Sequence, residues 1–224
     1  MIGEDRIADY INSLDAGHGT LCDRIAREAR AAFVPVIRRE TAAYLQTIIA
    51  AVRPMRILEV GTAVGYSAIL MAQVMPEGAR IITIEKDPER ISQARENFHL
   101  AGVESLVTLI EGDAGETLES LSGTFDFIFM DAAKGQYIHW FSAVMRLLAP
   151  GGVLISDNVL QDGDVIESRF AVERRSRTIH SRMREYLYTL KNTEDLMTSI
   201  LPLGDGVAFS VRRNPETADT RSSI

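Results

Sequence analysis

The sequence predicts an α/β protein built on a doubly wound, mostly parallel sheet of seven strands. Three observations predict it. From residue 55 onward, short apolar runs alternate with helix-spaced segments, the pattern of strands joined by crossover helices. Glycines or acids close the first strands, at the edge where open α/β sheets place their ligands. Finally, runs at 197–202 and 207–212 flank Leu203-Gly204-Asp205-Gly206, a hairpin turn that adds antiparallel strands to one edge. A chain of 224 residues suits one domain, and no repeat, low-complexity stretch or linker divides residues 1–224.

Residues 4–14 and 18–32 have helical spacing, with Ile7, Ile11 and Leu14 at i, i+4 and i+7. Pro35 can open a third helix, because its missing N–H is no loss at a first helical position; that helix runs to about Val52, before Pro54. Residues 1–53 thus form a helical extension. Strands follow at 55–60, 80–85, 106–110, 125–130 and 152–156, with helices at 66–74, 88–101 and 136–148. Asp87 caps the second of these and Gly102 stops it. A long helical stretch is expected over about 167–191, and the polar tail 213–224 is expected to fray.

Composition excludes several classes. Apolar residues at 46% and charged residues at 25% describe an ordinary globular chain. The acidic residues near the N-terminus are unlike a signal peptide, and no run approaches the roughly 20 apolar residues of a membrane span. With Cys22 as the single cysteine, a reducing, cytoplasmic setting is expected. A net charge of −7 disfavours nucleic acid as a general partner. One region departs from that balance: Arg169, Arg174, Arg175, Arg177, Arg182 and Arg184 crowd together, with His180 and only Glu173 as a nearby acid. This is either a solvated helix face or a local anion-binding patch.

Three motifs carry the chemistry. Glu59-Val60-Gly61-Thr62-Ala63-Val64-Gly65-Tyr66-Ser67 joins a strand to a helix. Its glycine spacing is not the dinucleotide G-x-G-x-x-G. Glu59 suits a cationic ligand with an amino group, such as the methionine part of S-adenosylmethionine; an ordinary strand–helix turn is the alternative. Glu85, followed by Lys86-Asp87, stands where an acid holds ribose hydroxyls. Glu111-Gly112-Asp113-Ala114 follows the third strand, where a carboxylate can accept from an adenine amino group. Three such pieces in order on successive strand ends are specific where each alone is weak.

A second constellation lies at the ends of the fourth and fifth strands. Asp131, Asp157 and Asn158 bring two carboxylates and an amide to one sheet edge, a donor set for a hard octahedral cation such as Mg2+ or Mn2+. A polar turn and a helix cap are the alternative. The four histidines share no metal-ligand spacing and no Cys/His cluster suits zinc. Lys134, three residues beyond Asp131, is a candidate general base toward a hydroxyl, with a surface or electrostatic role as the alternative. Trp140, Phe141 and Met145 are expected in the core.

The ordered set EVGTAVGYSA, ITIEKD, EGDA, FIFMDAAKGQY, GGVLISDNVL and LPLGDGVAFS resembles the catechol and caffeoyl-CoA O-methyltransferase family over residues 33–212. The resemblance implies the Rossmann-like class I methyltransferase fold. It implies that Asp131, Asp157 and Asn158 bind Mg2+, and that Val34, Glu59, Gly61, Val64, Ser67, Glu85, Ala114 and Asp131 line the S-adenosylmethionine pocket. Thr62, Lys86, Gly112 and Asp113 of the same motifs complete the candidate cofactor set, and Lys134 with Asp131 the catalytic set. The resemblance also implies a homodimer.

Within the family the chain is most similar to small bacterial enzymes that methylate 5-hydroxyuridine in tRNA. The cues are FVPVI at 33–37, DAAKGQY and the arginine-rich stretch before REYLYTL. The 160–190 segment departs from the plant caffeoyl-CoA branch. The expected reaction is therefore conversion of 5-hydroxyuridine to 5-methoxyuridine at the tRNA wobble position, with Arg174, Arg175 and Arg177 as the tRNA patch. A small aromatic with vicinal hydroxyls is the alternative acceptor, because its two oxygens chelate a cation as the 5-hydroxyl and 4-carbonyl of the base do. A catalytically silent S-adenosylmethionine-binding module is a third reading, disfavoured by intact Asp131, Lys134, Asp157 and Asn158.

Overall fold

In the computed structural model, residues 4–168 and 170–214 are described. Arg169, and the expected frayed tail from residue 215 on, lie outside them. Three helices, α1 (Glu4–Leu14), α2 (Thr20–Ala31) and α3 (Arg39–Val52), precede the sheet. There follow β1 (Arg56–Val60), α4 (Tyr66–Val74), β2 (Arg80–Glu85), α5 (Pro88–Ala101), β3 (Val107–Glu111), α6 (Ala114–Ser120) and β4 (Phe125–Met130). The chain continues through α7 (Tyr137–Leu147), β5 (Leu148–Ser156), α8 (Arg177–Asn192), β6 (Leu196–Leu201) and β7 (Val207–Arg212).

The seven strands lie in the order β3-β2-β1-β4-β5-β7-β6. The first five run parallel, and β7 pairs antiparallel with both β5 and β6. The strand order reverses between β1 and β4, so a crevice opens beyond their carboxyl ends. The central strands are buried on both faces, as near-continuous apolar runs require. Alternate residues feed opposite layers: Ile57, Phe127 and Phe129 pack with α2, α3 and α4, while Leu58, Ile128 and Met130 pack with α7 and α8.

Four expectations need correction. The third helix begins at Arg39, not Pro35. Phe33 has a left-handed φ of 55° and Arg38 is extended, so the 33–38 stretch is a loop that brings Pro35 to the crevice. The 114–120 helix has no counterpart in the sequence reading; Asp113 caps it by accepting from Gly115 N at 2.9 Å. The fifth strand starts at Leu148, because Leu148 already pairs with Phe125 before a register shift carries the chain to Val153, which pairs with Phe127. The long helix starts at Arg177 rather than near 167. Before it come three consecutive left-handed residues, Gln161, Asp162 and Gly163, and a turn in which Ser168 Oγ accepts from Phe170 N. Such side-chain bonds compete with helix propagation.

Candidate active site

The loop between β1 and α4 is held from beneath. Glu59 is fully buried, and its carboxylate accepts from Ser67 Oγ and Thr83 Oγ1 at 2.5 Å each. Thr62 and Thr83 hydroxyls also share a hydrogen bond of 2.6 Å. Burial pushes the Glu59 carboxyl up to about 7, against the two hydroxyl bonds that lower it. Gly61 has φ +105°, and a Cβ there would collide with the Asp131 carbonyl oxygen. Only glycine lets β1 and β4 approach this closely at their ends.

At the end of β2, Glu85 is pinned by backbone donors. Its Oε2 accepts from Ala63 N at 2.8 Å, and its Oε1 accepts from Lys86 N at 3.0 Å and Asp87 N at 3.1 Å. The carboxylate therefore has one orientation before any ligand arrives. A cavity of about 610 Å³ opens beside it. Gly61, Glu85, Lys86, Gly112, Asp113 and Ala114 of the strand-end motifs all line this cavity. Asp131, which abuts Gly61, and Lys134 line the same cavity.

The remaining cofactor candidates stand elsewhere. Glu59, Thr62 and Ser67 are buried behind the loop, where they fix its shape. Glu59 therefore does not face the cavity as the pairing of an acid with a ligand amine requires: Ser67 and Thr83 take up its oxygens. Val34 and Val64 line a neighbouring groove between α2 and α5.

Three lining residues, Pro35, Arg90 and Trp140, lie outside the strand-end motifs. Trp140, expected in the core, lines the cavity, its indole lying over Gly115 at the start of α6. The signal is its place one turn inside α7, reachable only once α6 is known. Pro35 arrives from the 33–38 loop.

The metal candidates do converge. The parallel ladder continues past the strand ends through Asp131 N to Val60 O at 3.0 Å and Asp157 N to Met130 O at 2.9 Å. This sets the two acids side by side. Tyr137, absent from the sequence candidates, locks them. Its buried hydroxyl donates to Met130 O at 3.0 Å, shared with Asp157 O at 3.4 Å, and accepts from Ala132 N at 3.1 Å. Lys134 Nζ donates to Asp131 Oδ1 at 3.1 Å and to Asn158 Oδ1. Asp157 is buried, and burial first, then the Asp131 charge, pushes its carboxyl up to about 7. Its Oδ1 is buried without a hydrogen-bond partner.

No group of three or more His, Cys, Asp or Glu side chains placed to hold an ion occurs among the described residues. The candidate set is instead two carboxylates and an amide. The orphaned Asp157 oxygen fits a cation, since a buried acceptor without a donor is costly.

The arginine stretch is only partly available. Arg177 donates to Val172 O at 3.3 Å, Arg182 to Gly135 O at 3.2 Å and Arg184 to Val165 O at 2.9 Å. Arg175 pairs with Glu173 at 2.6 Å. Arg174 is exposed and carries no ion pair among the described residues. The Arg182 bond, with Ile179 against Gly135, sets α8 beside the Lys134 loop.

Fold and site together define a ligand-binding α/β protein with a strand-end acid over one half of its cavity and a charged cluster over the other. Comparison with known proteins makes this specific. The family model of O-methyltransferases matches residues 22–213, and the chain belongs to this family. It is 39% identical over 128 residues to a catechol O-methyltransferase of Niastella koreensis, a match covering 55% of this chain and 58% of that one. It is 30% identical over 178 residues to catechol O-methyltransferase domain-containing protein 1 of Mus musculus, covering 77% and 66%. The match thus spans little more than half the length of the first of these relatives. Among solved structures, the SAH-bound methyltransferase PaMTH1 of Podospora anserina superposes with a TM-score of 0.84 at 28% identity, covering 94% of this chain and 95% of that one. No helix among the described residues is long and apolar enough to cross a membrane.

Proposed function

We propose that this protein is an S-adenosylmethionine-dependent O-methyltransferase whose acceptor hydroxyl is presented by a divalent cation, Mg2+ or Mn2+, and whose acceptor is 5-hydroxyuridine in tRNA. The observation that carries the reaction class is one cavity lined by Glu85 and Gly61 together with Asp131 and Lys134. S-adenosylmethionine fits its Glu85 end. Glu85 keeps a lone pair on Oε2 for a ribose hydroxyl after its three backbone bonds, and the SAH-bound fungal relative supports this reading.

Asp131, Asp157 and Asn158 would hold the cation, which lowers the pKa of a bound hydroxyl and directs it. The sulfonium methyl is electrophilic already, so the protein's task is to aim an oxyanion at it. Lys134 stands at the cavity wall within reach of the accepting oxygen's side.

The tRNA acceptor is supported by the 5-hydroxyuridine-enzyme resemblance and by exposed Arg174 and neighbouring Arg175 on the segment leading into α8. The catechol-type acceptor is favoured by a different observation: Arg177, Arg182 and Arg184 each donate to a backbone carbonyl of this chain. A homodimer belongs to the same reading, supported by the exposed apolar stripe Ile7, Tyr10, Ile11 and Leu14 on α1.

The test assays Arg174→Gln/Arg175→Gln on tRNA and on a free catechol at two salt concentrations. Arg177 is spared because it ties down the turn. Loss on tRNA alone, with binding that weakens as salt rises, supports the tRNA reading. Unchanged tRNA methylation moves the acceptor to the small aromatic. Nucleoside mass spectrometry of tRNA from a deletion strain decides independently: 5-hydroxyuridine should accumulate where 5-methoxyuridine is lost.

A further inference from the structure

The side chain most intimately placed in the candidate cation site is itself a cation. Lys134 Nζ donates to Asp131 Oδ1 at 3.1 Å and also to Asn158 Oδ1. The pair is partly shielded, with Lys134 and Asp131 side chains 29% and 21% exposed, so solvent does not fully screen it. The buried Asp157 carboxylate stands next to Asp131, which is the leading charge acting on it. The ammonium thus serves a cluster of two acids and one amide oxygen.

We infer that Lys134 competes with the divalent ion for the same oxygens, so that binding the ion releases the Lys134 ammonium from Asp131 and Asn158 into the acceptor cavity. This rests on the cation-dependent reading above. The reasoning is electrostatic. An ion coordinated by the Asp131 and Asn158 oxygens uses the lone pairs now aimed at Nζ, and Mg2+ sits within roughly 2.1 Å of its ligands. Two cations on one oxygen pair repel. Lys134 has somewhere to go, because it already lines the cavity beside Ala132, Ala133 and Gln136.

Two consequences follow. The donor set binds the ion less tightly than it would without the lysine. The ammonium becomes free to face an acceptor only after the ion is in place, which orders ion before acceptor.

The experiment measures Mn2+ affinity of the full chain through the EPR signal of free Mn2+. It compares the wild type with Lys134→Met and Lys134→Gln, which remove the charge with and without a hydrogen-bonding tip. Both variants should bind Mn2+ about tenfold more tightly, the factor carried by ~1.4 kcal/mol. In EDTA both should melt below the wild type, since the acids lose their counter-charge, and Mn2+ should raise their Tm by more than it raises the wild type's.

If the wild type binds Mn2+ and both variants bind it equally or more weakly, the competition is overturned and the cation-dependent reading stands. Wild type that binds no Mn2+ overturns both. Asp157→Ala in each background locates the ion: binding that survives loss of this oxygen donor places Mn2+ elsewhere and overturns the inference.

Discussion

The rim formed by the ends of β1 and β2 is held by backbone. Three N–H groups orient Glu85, and Gly61 admits the Asp131 carbonyl at a distance no other residue allows. The opposite rim, after β4 and β5, is held by side chains. Lys134, Asp131 and Asn158 form one network, Tyr137 bolts the strand ends together, and the chain beyond passes through left-handed Asn158, Gln161 and Asp162. A backbone cradle suits a ligand that every turnover shares. A side-chain cluster with an irregular cover suits an ion and an acceptor that must enter and leave. The difference predicts that substitutions on the two rims separate into binding defects and turnover defects.

The largest effect belongs to the second rim. Asp157→Ala should abolish methyl transfer, by roughly a hundredfold or more, because several kcal/mol of charge stabilisation depend on the ion. Affinity for S-adenosylmethionine should stay near wild type. EDTA should mimic the variant, and added Mg2+ or Mn2+ should restore the wild type only. Full activity in EDTA-treated, metal-free enzyme would remove the ion from the mechanism and erase the distinction between the rims.

On the first rim the signature reverses. Glu85→Gln should weaken S-adenosylmethionine binding roughly tenfold, the scale of a lost charge-assisted hydrogen bond, whether or not a divalent ion is present. Trp140 is the only tryptophan and lines the cavity, so quenching of its fluorescence should report binding directly, with calorimetry as the check. Glu85→Ala should weaken binding further and also lower Tm, because it leaves three backbone donors without their acceptor. Unchanged affinity in Glu85→Gln would mean that its carboxylate shapes the loop and touches no ligand.

The two rims are unequally legible in sequence. Apolar runs locate all seven strands, and the central ones most sharply, because strands buried on both faces have little freedom of composition. Glu85 and Gly61 are legible as cavity residues because open α/β sheets bind ligands outside the carboxyl ends of their strands. Helix α6 is not: seven residues, of which Thr117 and Leu118 are buried, offer too little periodicity.

Residues 167–176 read as helix because their arginines and apolar residues have tolerable spacing. What decides against it is local side-chain bonding, Ser168 to Phe170 N and Arg177 to the Val172 and Phe170 carbonyls. Tyr137 looks like an ordinary aromatic in a helix. Its hydroxyl matters only because β4 and β5 end beside each other, which is tertiary information.

The smallest effect tests the support beneath the first rim. Glu59 has an ordinary value of 4.5 that burial raises to about 7. The folded chain therefore holds this proton more tightly than the unfolded chain. That contribution to stability is complete below about 4.5 and is lost as pH rises from there through about 7, by at most about 1.4 kcal/mol for each pH unit crossed. Glu59→Gln cannot ionise, and the Ser67 and Thr83 hydroxyls can rotate to suit an amide. The Tm of the variant relative to the wild type should thus climb between about pH 5 and about pH 7, by up to roughly 8 °C. A difference that stays flat with pH would show that Glu59 ionises normally despite its burial. Repeating the comparison with saturating S-adenosylmethionine and with its uncharged-sulfur product sharpens the point. Glu59 lies behind the loop, not on the cavity wall, so the two ligands should change the pH dependence alike. A response to the sulfonium alone would mean that the carboxylate senses the ligand's charge through the loop, and that the first rim is not purely a backbone cradle.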